Sequence, residues 1–294
     1  MRSSISLFHE VLRMTQYRAL ALTTKYWRPS ENFLEIIIKT LENKIKDGDF
    51  VVVSEKALST ALNNIVDEAK AKPGFSAKII SKLWMKIAWG YFLGPTCHFG
   101  QRLLRRLRNY PFDSGSRHKQ VTLEHSGLLQ TLMFGSEGAI DGSNLPYSLV
   151  CLPLKNASKL AEKIHQQIML RLDKQVCILI TDTDRTYSVR NYHFAPRPNP
   201  MKGIHNSVSI FGYVIGRMLK LRKRPTPLAV AGCKLDAEAA LRIANLADKA
   251  RGPGSGATVW DMAARFRVEV TGVSWEMLDR IKHKPIVIIR KSET

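Results

Sequence analysis

Acidic residues are scarce in this chain. Its 294 residues hold 25 Asp and Glu against 45 Lys and Arg, a formal net charge of +20 at pH 7. Such a field points to anions as partners: nucleic acid, nucleotides, phosphorylated or polycarboxylate substrates, or anionic membranes, without choosing among them. Cysteine is sparse too. Cys97, Cys151, Cys177 and Cys233 form no CxxC pair and have no close spacing with histidine. So few in so long a chain exclude a disulfide framework. Cys151 and Cys177 sit among apolar residues, so buried free thiols in a reducing cytoplasm are expected. Long hydrophobic runs are missing as well. The most apolar stretch, LWMKIAWGYFLGPTCHFG at 83–100, is interrupted by Lys86 and Pro95 and falls short of a clean membrane span. It reads as a helix that is buried or lies on a partner surface. The N-terminal MRSSISLFHEVLRM has its apolar patch broken by His9 and Glu10, which makes a poor signal peptide. Internal repeats and low-complexity segments are absent. So is any G-x-x-x-x-G-K-[ST], which excludes a P-loop.

What is present is ordinary globular material, 45% apolar and 24% charged, enough for one large or two modest domains. In SENFLEIIIKTLENKIK, residues 30–46, Phe33, Leu34, Ile37, Ile38, Leu41 and Ile45 recur at helical spacing, with Ser30 as the expected N-cap. DGD at 47–49 makes a turn, and FVVVS at 50–54 reads as a short strand buried on both faces. Helical patterns continue to about residue 110. A second block begins near 119, where VTLEHSGLLQTLMF reads as strand material and 135–146 as a Gly-rich loop. Residues 156–173 make an amphipathic helix capped by Asn156, with Leu160, Ile164, Ile168 and Leu172 on its buried stripe. The apolar strand CILI at 177–180 then ends in Thr181, Asp182, Thr183, Asp184 and Arg185. PLAVAG (strand), KLDAEAALRIANLADKA (helix), the loop RGPGSG and KPIVIIR (strand) complete the chain. This alternation predicts an α/β class with a mixed α+β sheet. The expected division is 1–118, carrying the nucleotide loop, and 119–294, carrying the metal and substrate region, unless the two form one continuous domain.

Ligands of open α/β sheets bind where strands end and loops begin. Three loops have that character: Ser54–Lys56, 135–146 and Thr181–Arg185. Asp141 and Asp182, with the Thr183 hydroxyl, could supply the hard oxygen ligands that Mg²⁺ or Mn²⁺ takes together with substrate phosphates. The residue types taken alone favour a plainer reading, in which Asp141 closes an Asp-Gly turn and Asp182 caps the next segment. Gly252-Pro-Gly254-Ser-Gly256 either approaches phosphates through its backbone or is a flexible connector. The basic runs RLLRRLR at 102–108 and KLRKRP at 220–225 could meet a polyanion, but no aromatic interleaving accompanies them. His193 and His205 flank FAPRPNPMKGI without a metal-pair spacing.

The segment order DGDFVVVSEKALSTA, GAIDGSN, an LPL element with its amphipathic helix, then ILITDTD resembles coenzyme F420-0:L-glutamate ligase, the gamma-glutamyl ligase of deazaflavin cofactor synthesis. The match covers about 45–61 and 135–185 and is weaker over 227–256. The resemblance implies that Asp141, Asp182 and Thr183 bind a divalent metal, that Asn144 contacts the guanine nucleotide, and that Ser54, Glu55 and Lys56 lie along that nucleotide. It implies a gamma-glutamyl ligase-like fold, an intertwined homodimer, GTP as co-substrate, Mg²⁺ or Mn²⁺ with K⁺ as a further cation, and amide-bond formation between glutamate and an anionic acceptor through an acyl phosphate. Departures mark a divergent member. The family's S-K-A-E-G is here Ser59, Thr60, Ala61, Leu62 and Asn63, so Thr60 replaces the expected Lys. Asp184-Arg185 stands for the family's Gly-Arg turn, and the late M-G-[QE] has no counterpart in LADKARGPGSG. Lys56 lies four residues before Thr60; in a helix starting right after the strand the two share a face, and the Lys56 ammonium would serve the same phosphates. The alternative from another class is a basic nucleic-acid- or polyphosphate-binding protein that keeps the scaffold without turnover.

Overall fold

The computed structural model describes residues 17–135, 137–207, 209–256 and 258–292. The N-terminal stretch weighed above as a signal peptide lies outside the described residues up to Gln16. The strands, in chain order, are β1 (Tyr17–Thr24), β2 (Phe50–Ser54), β3 (Ile65–Asp67), β4 (Leu149–Cys151), β5 (Cys177–Val189), β6 (Tyr192–Ala195), β7 (His205–Asn206), β8 (Arg222–Ala231) and β9 (His283–Lys291). Among the described residues seven of them form one sheet in the order β1-β9-β2-β5-β6-β7, with β8 also paired to β5. β2 and β5 run parallel, whereas β9 on β2, β1 on β9 and β8 on β5 are antiparallel. The sheet is therefore mixed, and it interleaves strands from both ends of the chain.

β2 is apolar at every position from Phe50 to Val53 because helices cover both faces of the sheet. Val51 and Val53 point with Ile178, Ile180, Ile286 and Ile288 into a core closed by the helices Phe33–Leu41 and Ala157–Leu172. Val52 points the other way, with Leu179, Val287 and Ile289, onto Ala240, Ile243, Ala244 and Ala247 of the helix Ala237–Arg251. The small residues of that helix let it lie close to the sheet.

Four expectations need correction. The first helix starts at Phe33 with Asn32 as its cap, its side chain accepting from Glu35 N, and Ser30 sits before it at φ 64°. VTLEHS belongs to the helix Phe112–Ser126, followed by a turn of helix at Leu128–Thr131. Of its buried positions Gly115, Ser116, Lys119, Val121 and Thr122, Val121 alone is a large apolar side chain, so no apolar stripe betrays the helix. β5 does not stop at Thr181 but continues to Val189, with its β8 register shifting between Ile180 and Thr181 and again between Asp182 and Arg185. Finally, Cys177 is not a free thiol. The antiparallel β5–β8 pair brings the start of β5 beside the end of β8, and Cys177 bonds to Cys233 across 5.3 Å between Cα atoms. Cysteine usage thus no longer argues for a reducing compartment. Cys97 and Cys151 are free and buried.

The Cys177–Cys233 bond closes a sequence separation of 56 residues. On chain-entropy grounds a loop of that length stabilises by about 4 kcal/mol. Cys233→Ser is expected to lose most of it, and dithiothreitol to destabilise the wild type but not the variant, as read by urea unfolding.

Candidate active site

The parallel pairing of β2 with β5 ends at Ser54 opposite Thr181. There the chain of β2 turns at once into the helix Glu55–Ala61, while β5 runs on through its irregular stretch. A cavity of about 770 Å³ opens at this divergence. Ser54, Lys56, Asp141, Asn144, Asp182 and Thr183 all line it, so six of the seven residues singled out by sequence converge on one space.

Their partners are specific. The Lys56 ammonium donates to Asp141 Oδ2, to Ser143 O at 2.9 Å and to Ser143 Oγ at 2.7 Å. The other Asp141 oxygen accepts from Ser143 N at 2.6 Å, an Asx turn that fixes the carboxylate. Burial pulls the Lys56 amine down, but Asp141, then Cys151 and Asp182, overcome this and raise its pKa. Thr60 shares the helix face with Lys56, lines the same cavity, and donates its hydroxyl to Lys56 O at 2.8 Å.

Glu55 is placed differently from the expectation. It is buried, and its carboxylate takes the Arg197 guanidinium at 2.6 and 3.1 Å and the Leu154 N–H at 2.8 Å. Arg197 also donates to Asp182 Oδ2. The guanidinium loses hydration on burial, yet Glu55 and Asp182 together hold it firmly protonated. Asp182 is thus aimed by an arginine that sequence reasoning missed. Arg197 sits in the Pro-rich FAPRPNP loop, 142 residues from Glu55, and no local pattern ties the two.

Asn144, at φ 62°, links two loops. Its Oδ1 accepts from Ser255 N at 2.7 Å and Ser255 Oγ at 2.5 Å. The Gly252–Gly256 loop is therefore anchored to the cavity wall rather than a loose connector, and Gly252, Gly254 and Gly256 line the space. Gly254 is at φ +61°, and a Cβ there would sit 2.6 Å from Asn144 Oδ1.

The far wall carries a second buried polar cluster that the sequence did not disclose. His118 lies between two carboxylates, its Nδ1 2.5 Å from Glu68 Oε1 and its Nε2 against Glu137 Oε2. The fully buried Lys119 ammonium donates to Glu137 Oε1 at 2.5 Å, Thr131 O at 2.8 Å and Met133 O at 3.0 Å. Burial would neutralise His118, but Glu68 and Glu137 raise its pKa to about 10. Burial would likewise raise Glu137, but Lys119 and His118 hold it down at about 2. Phe134 and Trp260 stack at 6.0 Å between centroids and add apolar surface to the lining. Arg185, Arg217, Lys249, Lys282 and Lys284 line the remainder and make the cavity an anion acceptor.

The two basic runs are partly consumed by the fold. Arg224 is buried, forking onto Glu238 at 2.9 and 2.8 Å and reaching Ser188 Oγ at 2.9 Å. Arg106 pairs with Asp261 at 3.1 Å, and Arg108 donates to Gly90 O at 3.0 Å. Arg102 and Arg105 of the first run and Lys220, Arg222 and Lys223 of the second stay exposed.

A family model described as F420-0:Gamma-glutamyl ligase matches residues 21–232, which includes Ser54, Glu55, Lys56, Asp141, Asn144, Asp182, Thr183 and Arg197. The chain belongs to the F420-0:gamma-glutamyl ligase family. It is also 33% identical over 288 residues to an uncharacterized protein of Methanocaldococcus jannaschii, covering 94% of this chain and 97% of that one. Membership in this ligase family makes the chain an enzyme of glutamate ligation, and the mixed sheet is the scaffold on which that chemistry is mounted.

The His118 cluster makes stability depend on pH. A histidine whose pKa is raised by folding binds its proton more tightly in the folded state. Its contribution is complete below 6.5 and is lost as pH rises through about 10. Glu137, lowered by folding, contributes above 4.5 and loses that contribution as pH falls through about 2. The melting temperature of the wild type is therefore expected to decline between 6.5 and about 10 more steeply than that of His118→Gln. Parallel slopes in differential scanning calorimetry would remove His118 from this role.

Proposed function

We propose that the protein is a GTP-dependent amide ligase that adds L-glutamate to a carboxylate of coenzyme F420-0 or a related anionic acceptor. The observation that supports this reading is the convergence of Ser54, Lys56, Asp141, Asn144, Asp182 and Thr183 on one cation-lined cavity. The acceptor carboxylate attacks the γ-phosphorus, the bond to the β–γ bridging oxygen breaks, and GDP leaves with an acyl phosphate formed. The glutamate amine attacks the acyl carbon, the bond to phosphate breaks, and the amine gives up a proton to yield the amide. The protein's share of such chemistry is to place anions and offset their charge. Lys56 is the ammonium for the triphosphate, in place of the Lys that the family carries where this chain has Thr60. Asn144 and the Gly252–Gly256 loop frame the nucleotide. The lysines and arginines of the opposite wall receive the acceptor and glutamate carboxylates.

The family's divalent ion fits the donors present. Asp141, Asp182 and the Thr183 hydroxyl are hard oxygen ligands on one cavity. Mg²⁺ ordinarily takes one or two carboxylates together with waters and substrate phosphates, not an all-protein cage. Among the described residues no group of three or more His, Cys, Asp or Glu is placed to hold a metal. An ion held there would polarise the phosphoryl oxygens. Lys56 meets Asp141, and Arg197 meets Asp182.

Asp141→Asn and Asp182→Asn are each expected to weaken Mn²⁺-dependent binding of a non-hydrolysable GTP analogue by about tenfold or more. Lys56→Ala should raise the dissociation constant about tenfold, or roughly 1.4 kcal/mol. Calorimetric titration reads all three. Wild-type affinity in both aspartate variants would end the metal assignment, and absence of a glutamylated product from GTP, Mn²⁺, glutamate and acceptor, by mass spectrometry, would end the ligase reading.

A further inference from the structure

The segment from Phe75 to Leu93 presents apolar residues on two opposite faces. It comprises the short helix Phe75–Ile79 and a wide-turn, i→i+5 helix, Ile80–Leu93. Residues four apart fall into line along it. Ala77, Ser81, Met85 and Trp89 are buried, the last two in the aromatic core cluster. Out of phase by two positions, Phe75, Ile79, Leu83, Ile87 and Tyr91 are exposed at 79, 40, 49, 48 and 56%, with Phe92 beside them at 66%. Burial of the inner row accounts for the packing of this helix; of the outer row Tyr91 meets Arg108. Between the two runs a row of Lys78, Lys82 and Lys86, and the Arg108 guanidinium lies 4.6 Å over the Tyr91 ring. From Ala69 to Phe112 the sequence carries five Lys and four Arg and no Asp or Glu.

We propose that this face docks on the surface of an anionic membrane, with the outer apolar row at the acyl boundary and the lysine row among the headgroups. Helices that lie in a bilayer interface have this makeup, an apolar row with aromatics beside a cationic one. Among the described residues no helix is long and apolar enough to cross a membrane, so the contact is peripheral. Charge selects this occupant over the others. A second copy docking through the same face would set Lys78, Lys82 and Lys86 against their own counterparts, with no acid in the segment to pair them. A nucleic acid would use the cations and a stacking ring but gains nothing from Ile79, Leu83 and Ile87. An anionic bilayer uses both rows at once.

Co-sedimentation with vesicles tests this, comparing phosphatidylcholine alone with phosphatidylcholine mixed with phosphatidylglycerol. The full chain is expected to bind the mixed vesicles and to bind the neutral ones weakly. Replacing Lys78, Lys82 and Lys86 by Ala should weaken binding roughly fivefold per lysine, about a hundredfold together. The double variant Leu83→Glu, Ile87→Glu should abolish it, with circular dichroism confirming that both variants fold. Absence of wild-type binding to the mixed vesicles overturns the proposal, as does binding that survives both sets of substitutions. So does a wild type that binds no vesicle and whose dimer is broken by the double variant, which would make the face an interface between copies. Binding of an RNA oligonucleotide in place of vesicles, lost with the three lysines, overturns it in favour of nucleic acid.

Discussion

One buried guanidinium ties together the elements that border the cavity. Arg197 reaches Glu55, at the point where β2 becomes a helix, and Asp182, within the irregular stretch of β5. Glu55 passes the connection on to the backbone of Leu154, just after β4. Four parts of the chain that are distant in sequence thus share one positive charge. Removing one member of such a buried set leaves an uncompensated ion and ordinarily costs about 3–5 kcal/mol. The same contact sits where β2 diverges from β5 and the cavity opens. Where the paired backbones separate at Ser54 and Thr181, side-chain ion pairs take over from ladder hydrogen bonds.

The scarcity of acids acquires a pattern once their partners are known. Asp49, Glu55 and Glu137 are buried, and each is matched by cations: Arg290 by a two-pronged contact at 2.7 and 2.6 Å, Arg197, and the pair Lys119 and His118. These three acids each hold a cation at the edge of or inside the core. The excess of Lys and Arg is left to the cavity lining and the outer surface, where it shapes what the molecule attracts.

Much of the fold was legible in the sequence because its signals are local. FVVVS, the 157–172 stripe, the small-residue helix at 237–251 and the final strand each announce themselves through a period or a run of β-branched residues. The end of the helix Phe112–Ser126, VTLEHS, reads as strand material because the face that the helix buries is mostly small or polar; Lys119 is acceptable inside because Glu137 and the Thr131 and Met133 carbonyls meet it there. The Cys177–Cys233 bond was hidden by the strand order, since nothing in the spacing says that β5 and β8 are neighbours. Of the site, the loops that converge were found from their residue types and the family resemblance. Arg197 and His118 were not, because each is defined by carboxylates brought to it by tertiary folding from as far as 142 and 50 residues away.

The anchoring of the Gly252–Gly256 loop by Asn144 also sets terms for how this site can change over time. Gly254 is confined twice, by a left-handed backbone and by the Asn144 oxygen that occupies the place of a side chain. Asn144 in turn spends that oxygen on Ser255, so neither position can drift alone without undoing the other. Two residues 110 apart in sequence therefore behave as a single heritable unit, and a lineage that remodels one wall of the cavity must remodel the other in the same step.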